Sequence, residues 1–213
     1  MSLPHDAVYP ILEKDFVLGW KNIRREDYVG ASFGYSKRHA CVGTTNGAGA
    51  HNVQIFVLSP DLVVLHALPG FWHPEDLARE LRFAKVLLRL WEDDTRTDAE
   101  KGAMYRRLQL AELRYQPAVM YARSDWQEFD KTREGAALAG KDRDTFRHTK
   151  DGKVKRTARG EPVLKALNVL THERMAQRPF LRFEEFDFAR FIDYGRKFYD
   201  NNLGVSRRGK KLR

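Results

Sequence analysis

Cys41 is the only cysteine in the chain, and Lys37, Arg38 and His39 stand just before it. Nearby positive charge favours the thiolate, which is the reactive form of the side chain. A one-cysteine peroxidatic or mixed-disulfide role is the chemistry that setting would support. The competing reading is an inert, buried small residue. His39, Cys41 and His51 together offer the nitrogen and sulfur donors that zinc accepts. Their spacing matches no zinc-finger pattern, and no Cys-x-x-Cys accompanies them. His66 lies inside an apolar stretch, where a satisfied core histidine is expected.

Two further segments can attract anions. Gly43 to Ala50 reads GTTNGAGA. It shares glycine content with phosphate-cradling loops, but lacks their Gly-Lys-Ser/Thr ending and runs into a strand instead of a helix. Glycines that permit positive φ are the plainer reading. Residues 141–159, KDRDTFRHTKDGKVKRTAR, carry eight basic residues against three acids. Lys150, Lys153, Lys155, Arg156 and Arg159 are the candidate anion-binding side chains there. Phe146 is the only aromatic in that stretch, so base stacking is poorly served. Nonspecific nucleic-acid binding is therefore the form such an interaction would take. A second basic run closes the chain at Arg207, Arg208, Lys210, Lys211 and Arg213. No cofactor motif is read, and no internal repeat.

The elements that must position these groups follow from composition and periodicity. The chain has 213 residues, 42% of them hydrophobic and 12% aromatic. That is enough for a real core and excludes wholesale disorder. The formal charge of +9 favours acidic partners. One cysteine forms no internal disulfide. No apolar run approaches the roughly 18–20 residues of a membrane span. The N-terminus has no basic region followed by an apolar one, so it does not read as a signal peptide. A cytoplasmic location is expected from the chain as written, and an exported one if the true start lies upstream with a signal.

Asp6 is placed to cap a short helix through Leu12, and residues 16–23, FVLGWKNI, read as a strand. Val53–Leu58 and Leu62–Leu68 read as two strands joined by Ser59-Pro60-Asp61, whose residue types make turns. Both are nearly continuous apolar runs, which predicts burial on both faces. Pro74 then opens a helix with Glu75 and Asp76 in its first turn. Leu77, Leu81, Ala84, Leu88 and Trp91 form its apolar stripe. Thr97 and Glu100 are spaced as a capping box. The helix they start shows Met104, Leu108, Ala111 and Tyr115 on one face and is stopped by Pro117. Ser124 is read as opening another helix that ends near Gly135. Asp151-Gly152 carries a hairpin signal inside an otherwise mobile linker. Pro162 is read as starting a helix with Leu167 and Leu170, and Asp187 as capping a last helix rich in aromatics.

The order strand, turn, strand, helix over NVQIFVLSPDLVVLHALPGFWHPEDLARELRFAKVLLRLWED resembles the closing half of a thioredoxin-like domain. The cadence GFWHPEDL is part of that resemblance. It implies an α/β fold: a thioredoxin-like partial sheet with packed helices over residues 1–92, and a mostly helical extension over 93–213. The family's opening β-α unit with its paired cysteines has no counterpart here. The place of its cis-proline is held by Ala50, His51 and Asn52. The resemblance therefore implies a binding or scaffold module, or part of a longer redox protein. Its alternatives are a thiol-disulfide oxidoreductase with its cysteine pair upstream of Met1, and a basic nucleic-acid-associated protein. A sheet lacking its first strand exposes an edge, where an unknown protein partner would bind.

Overall fold

The computed structural model describes residues 2–22, 53–126, 144–188 and 191. Its first helix, α1, spans Tyr9–Asp15 with Pro10 in the first turn, where the missing N–H costs no helical bond. The N-cap is Val8, with no side-chain cap, so Asp6 does not take that role. Residues 16–22 form no strand; Val17 and Trp20 are almost wholly exposed. The expected capping box, metal trio and lone cysteine fare differently: the first is present, while His39, Cys41 and His51 lie outside the described residues.

Strands β1 (Gln54–Leu58) and β2 (Val64–Pro69) form a two-stranded antiparallel sheet. Gln54 faces Pro69 and Val57 faces His66, with a bulge after Val57. The expected turn chemistry joins them. The Ser59 hydroxyl donates to Asp61 Oδ1 (2.6 Å) and accepts from the Val63 N–H (3.0 Å). These bonds hold Leu62 at a φ of 63°, a left-handed conformation that costs a branched side chain energy. All six residues of β2 are buried. Beside its start, the Val64 N–H donates to Leu181 O and the Phe183 N–H to Leu62 O.

Helix α2 (Pro74–Trp91) has the bounds that its proline start and apolar stripe predict. Its buried face takes in Leu77, Leu81 and Ala84 of that stripe together with Asp76, Ala78, Glu80, Phe83, Leu87 and Leu90, while Leu88 and Trp91 are half-buried. Helix α3 (Asp98–Tyr115) begins with the capping box. The Thr97 N–H donates to Glu100 Oε2 (2.8 Å), and the Glu100 N–H to Thr97 Oγ1 (3.3 Å). Its buried residues are Lys101, Tyr105 and Gln109, while Met104 and Leu108 of the apolar face pack half-buried against the same core. Tyr115 is 73% exposed. The buried polar groups of α3 have partners that make their burial tolerable. Lys101 Nζ donates to Trp91 O, and the Tyr105 hydroxyl to Leu65 O.

A short α4 (Ala118–Arg123) follows Pro117. Ser124 is the C-cap of this helix, its N–H donating to Met120 O (3.0 Å); the helix expected to run from it to near Gly135 lies outside the described residues beyond Trp126. Residues 144–165 are ordered as a meander of three extended segments. Phe146 pairs with Leu164, His148 with Val154, and Arg156 with Pro162. Pro162 thus lies in this meander, and helix α5 begins only at Leu167, running to Ala176. The hairpin at Asp151-Gly152 is present, with Gly152 at a φ of +80°.

An eight-residue repeat, overlooked in the linear reading, underlies the meander. Arg147-x-Thr149-x-x-Gly152 returns as Lys155-x-Thr157-x-x-Gly160. In both copies the glycine N–H donates to the threonine carbonyl and the threonine N–H to the residue four positions on. Gly160 has the same φ of +80° as Gly152. The segments close on one another: the N–H of Arg147 donates to Val163 O, that of Val163 to Lys155 O, and that of Lys155 to Arg147 O.

The larger core joins Val64, Leu68, Trp72, Leu77, Leu81 and Leu87 to Val8, Tyr105, Met120 and Met175. A smaller one gathers Trp126, Phe146, Leu164, Leu167 and Leu170 beneath the meander. Phe56, Phe183, Phe186 and Phe188 meet edge to face, with centroids 5.0–5.5 Å apart. The described architecture is mixed α/β with a small antiparallel sheet, and no described helix is long and apolar enough to cross a membrane.

Candidate functional site

Three elements converge on one buried group of titratable side chains. β2 brings His66 from its middle, α2 brings Glu80 from its buried face, and α5 brings His172. The side chains of all three are 0% exposed. α5 also contributes Asn168, one helical turn before His172 and therefore on the same face. α3 supplies Gln109, and Gln116 follows at its C-terminal cap.

The hydrogen bonds form a closed circuit. His172 Nδ1 donates to Gln109 Oε1 (2.7 Å), and Gln109 Nε2 reaches His66 Nδ1 at 3.5 Å. His66 Nε2 donates to Glu80 Oε2 (3.0 Å). Gln116 Nε2 donates to Glu80 Oε1 (3.3 Å) and lies 3.0 Å from His172 Nε2. Asn168 Nδ2 donates to Gln116 Oε1 (2.6 Å). His172 Nε2 itself sits 3.2 Å from Glu80 Oε1. Because Gln109 accepts from His172 Nδ1, it fixes the ring orientation that turns Nε2 toward the carboxylate. Phe83 stands edge-on to both imidazoles, at 5.6 and 5.5 Å.

Burial alone would raise the Glu80 carboxyl. The charge and hydrogen bond of His172, followed by those of His66, outweigh it and hold the group well below the ordinary carboxylate range. Burial depresses His66, against the pull of Glu80. The result is an ionised carboxylate enclosed by protein. A buried anion needs a cation beside it. Two sources fit: a proton shared with the imidazoles, or a metal ion held among them. The three ligand atoms lie within 4.8 Å of one another.

A second polar group caps the start of α2. Arg123 Nη1 contacts His73 Nδ1 (2.9 Å), Glu75 Oε2 (2.9 Å) and Asp76 Oδ1 (3.3 Å). Asp76 Oδ2 is buried with no hydrogen-bond partner. Burial raises the Asp76 carboxyl, against the opposing charge of Arg123.

Of the residues singled out from sequence, His66 is a buried, bonded core histidine as expected. Lys150, Lys153, Lys155, Arg156 and Arg159 all lie exposed on the meander, and none of them belongs to the buried cluster. Glu80 and His172 were missed. The available signals were an acid inside the apolar face of α2, three residues after Leu77 and four before Ala84, and the Asn168-x-x-x-His172 spacing. Comparison with family models, curated proteins and solved structures finds no match.

Proposed function

We propose that this is a metal-binding protein in which His66, Glu80 and His172 hold one divalent transition ion, with zinc the best-matched candidate. The observation that carries this is the meeting of two imidazole nitrogens with the two oxygens of one buried carboxylate, His66 Nε2 at 3.0 Å from Oε2 and His172 Nε2 at 3.2 Å from Oε1. Zinc bonds to such donors are about 2.0–2.2 Å long and tetrahedral, which places neighbouring ligand atoms about 3.3–3.6 Å apart, so the side chains would open slightly around the ion. Gln109 supplies the outer-shell partner that a ligating histidine normally has. Gln116 is a candidate fourth ligand. The oxygen and nitrogen of an amide are interchangeable in shape, so turning this amide over presents Oε1 to the same centre. A matching turn of Asn168 then gives its Oδ1, which is buried without a partner, a donor from Gln116. Full burial of the ligands supports a structural ion that ties β2, α2 and α5 together, since a catalytic zinc keeps an open position.

The test is metal analysis of the purified full chain, with melting followed before and after zinc chelation. One equivalent of zinc, lost in both Glu80→Gln and His172→Ala, is expected, as is a lower melting temperature after chelation. A folded wild type that carries no metal and ignores added zinc would make the cluster a buried imidazolium–carboxylate pair.

A second reading is a thioredoxin-like binding or scaffold module without a dithiol site of its own. It is favoured by the succession β1, β2, α2 and by the packing of α2 on β2. The oxidoreductase alternative predicts reduction of insulin disulfides by the native protein. Sensitivity of that activity to Cys41→Ser would assign it to Cys41. Absence of reduction together with stable capture of a protein partner would favour the module.

A further inference from the structure

The basic meander is built to hold cations outward on a fixed frame. Its three segments bond to one another in a closed ring of backbone hydrogen bonds at Arg147, Lys155 and Val163. Phe146 and Leu164 bury its base against Trp126, Leu167 and Leu170. Trp126 Nε1 donates to Lys165 O (2.6 Å), and Lys165 pairs with Glu173 on α5 (2.5 Å). Arg174 of α5 grips Asp144 through two bonds, at 2.7 and 3.0 Å. The acids and apolar groups of the base are thus used in anchoring.

Beyond this base the meander exposes Arg147, Lys150, Lys153, Lys155, Arg156 and Arg159, against Asp151 and Glu161. Lys153 pairs with Asp151 (3.3 Å), and Arg156 donates to Gly160 O (2.7 Å). No described bond or ion pair engages the side chains of Arg147, Lys150, Lys155 or Arg159. The two tips, Lys150-Asp151-Gly152 and Ala158-Arg159-Gly160, have open space around their glycines.

We infer that this meander is a docking surface for the phosphate backbone of a nucleic acid, and that it reads no sequence. Cations supplied by neighbouring segments suit a polyanion with closely spaced charges, which releases counterions as it binds. The only aromatic of the meander, Phe146, is 2% exposed. No Phe, Tyr or Trp is therefore offered for base stacking, the imidazole of His148 being the one exposed ring, and binding rests mainly on charge. The tips carry no large apolar side chain, whereas attachment to a lipid surface draws on buried apolar area.

The test uses the full chain and a fluorescent DNA duplex of about 20 base pairs, titrated across salt concentration from about 50 mM upward. One variant replaces Lys150, Lys155 and Arg159 by Ala. A control replaces Arg106, Arg107 and Arg114 by Ala; these are exposed on α3 and remove the same charge. The meander variant should lose about tenfold or more in affinity at low salt, with its salt slope shallower by about 2–3. The control should change affinity by less than about threefold. Circular dichroism and melting should be unchanged in both. Equal losses in the two variants would overturn the proposal, because net charge alone would then explain binding. Undiminished binding by the meander variant, or capture of phosphatidylserine vesicles but not of duplex, would overturn it as well.

Discussion

Asp76 and Glu80 lie one turn apart on α2, and both are buried, yet their carboxyls shift in opposite directions. Glu80 has both oxygens engaged, by His66, His172 and Gln116, and is held ionised. Asp76 has one oxygen near Arg123 and the other without a partner, and its carboxyl is raised. Burial pushes both the same way. The partners decide the outcome, and those of Glu80 come from β2, α3 and α5, while Asp76 relies on one arginine that it shares with Glu75. The middle of α2 is therefore an organised polar centre, and its first turn a partly compensated cap.

The sharpest way to break this contrast is Glu80→Ala. It leaves two buried imidazoles without their anion, and removing one partner of a buried charged group costs about 3–5 kcal/mol. Equilibrium urea unfolding should show that loss; a cost below about 1 kcal/mol would mean that the cluster stabilises little. Next comes Gln109→Leu, which removes the acceptor for His172 Nδ1. Leaving a buried donor unpaired costs about 1–3 kcal/mol, read by the same unfolding curves. Zinc content should fall with it if the ring must be held in place.

Asp76 should respond with the opposite sign. Its folded-state carboxyl is raised, so between its unfolded and folded values the native state binds more protons than the unfolded state. Stability contributed through Asp76 is then lost as pH rises through that window. His73, Glu75 and Arg123 act on Asp76 at this cap, and His5 acts on Glu75 beside it. Asp76→Asn should therefore gain on the wild type between about pH 4 and pH 7. Unfolding midpoints of the two proteins at both pH values check this, and a widening advantage for the wild type would reverse the assignment. The smallest effect is expected from Lys153→Ala on the meander. Its pair with Asp151 is 83% and 61% exposed, and such solvent-screened surface pairs add little or nothing to stability, so the unfolding midpoint should stay where it is in the wild type.

Much of the fold was legible along the chain because local rules and tertiary packing agreed. Pro74 with Glu75 and Asp76 starts α2, and Thr97 with Glu100 starts α3. Ser59-Pro60-Asp61 turns the hairpin through its own hydroxyl and carboxylate. Where packing went beyond periodicity, the reading was incomplete. Met104 and Leu108 on the apolar face of α3 pack half-buried against the core, but the deepest positions go to Lys101, Tyr105 and Gln109. Pro162, a plausible helix start, is instead paired to Arg156 across the meander. The candidate site was the least legible part. Glu80 and His172 are 92 residues apart, and no spacing rule joins two such positions.

The sequence by itself determined the starts of α2 and α3, the hairpin turn, the apolar character of β2 and the surplus of positive charge. Those properties depend on residues within one or two turns of each other, or on composition alone. Tertiary structure decided which polar side chains would be buried together. A lone Glu or His on an apolar face carries a desolvation cost that no neighbour in sequence removes. Only when β2, α2, α3 and α5 come together do Glu80, His66, His172, Gln109 and Gln116 satisfy one another.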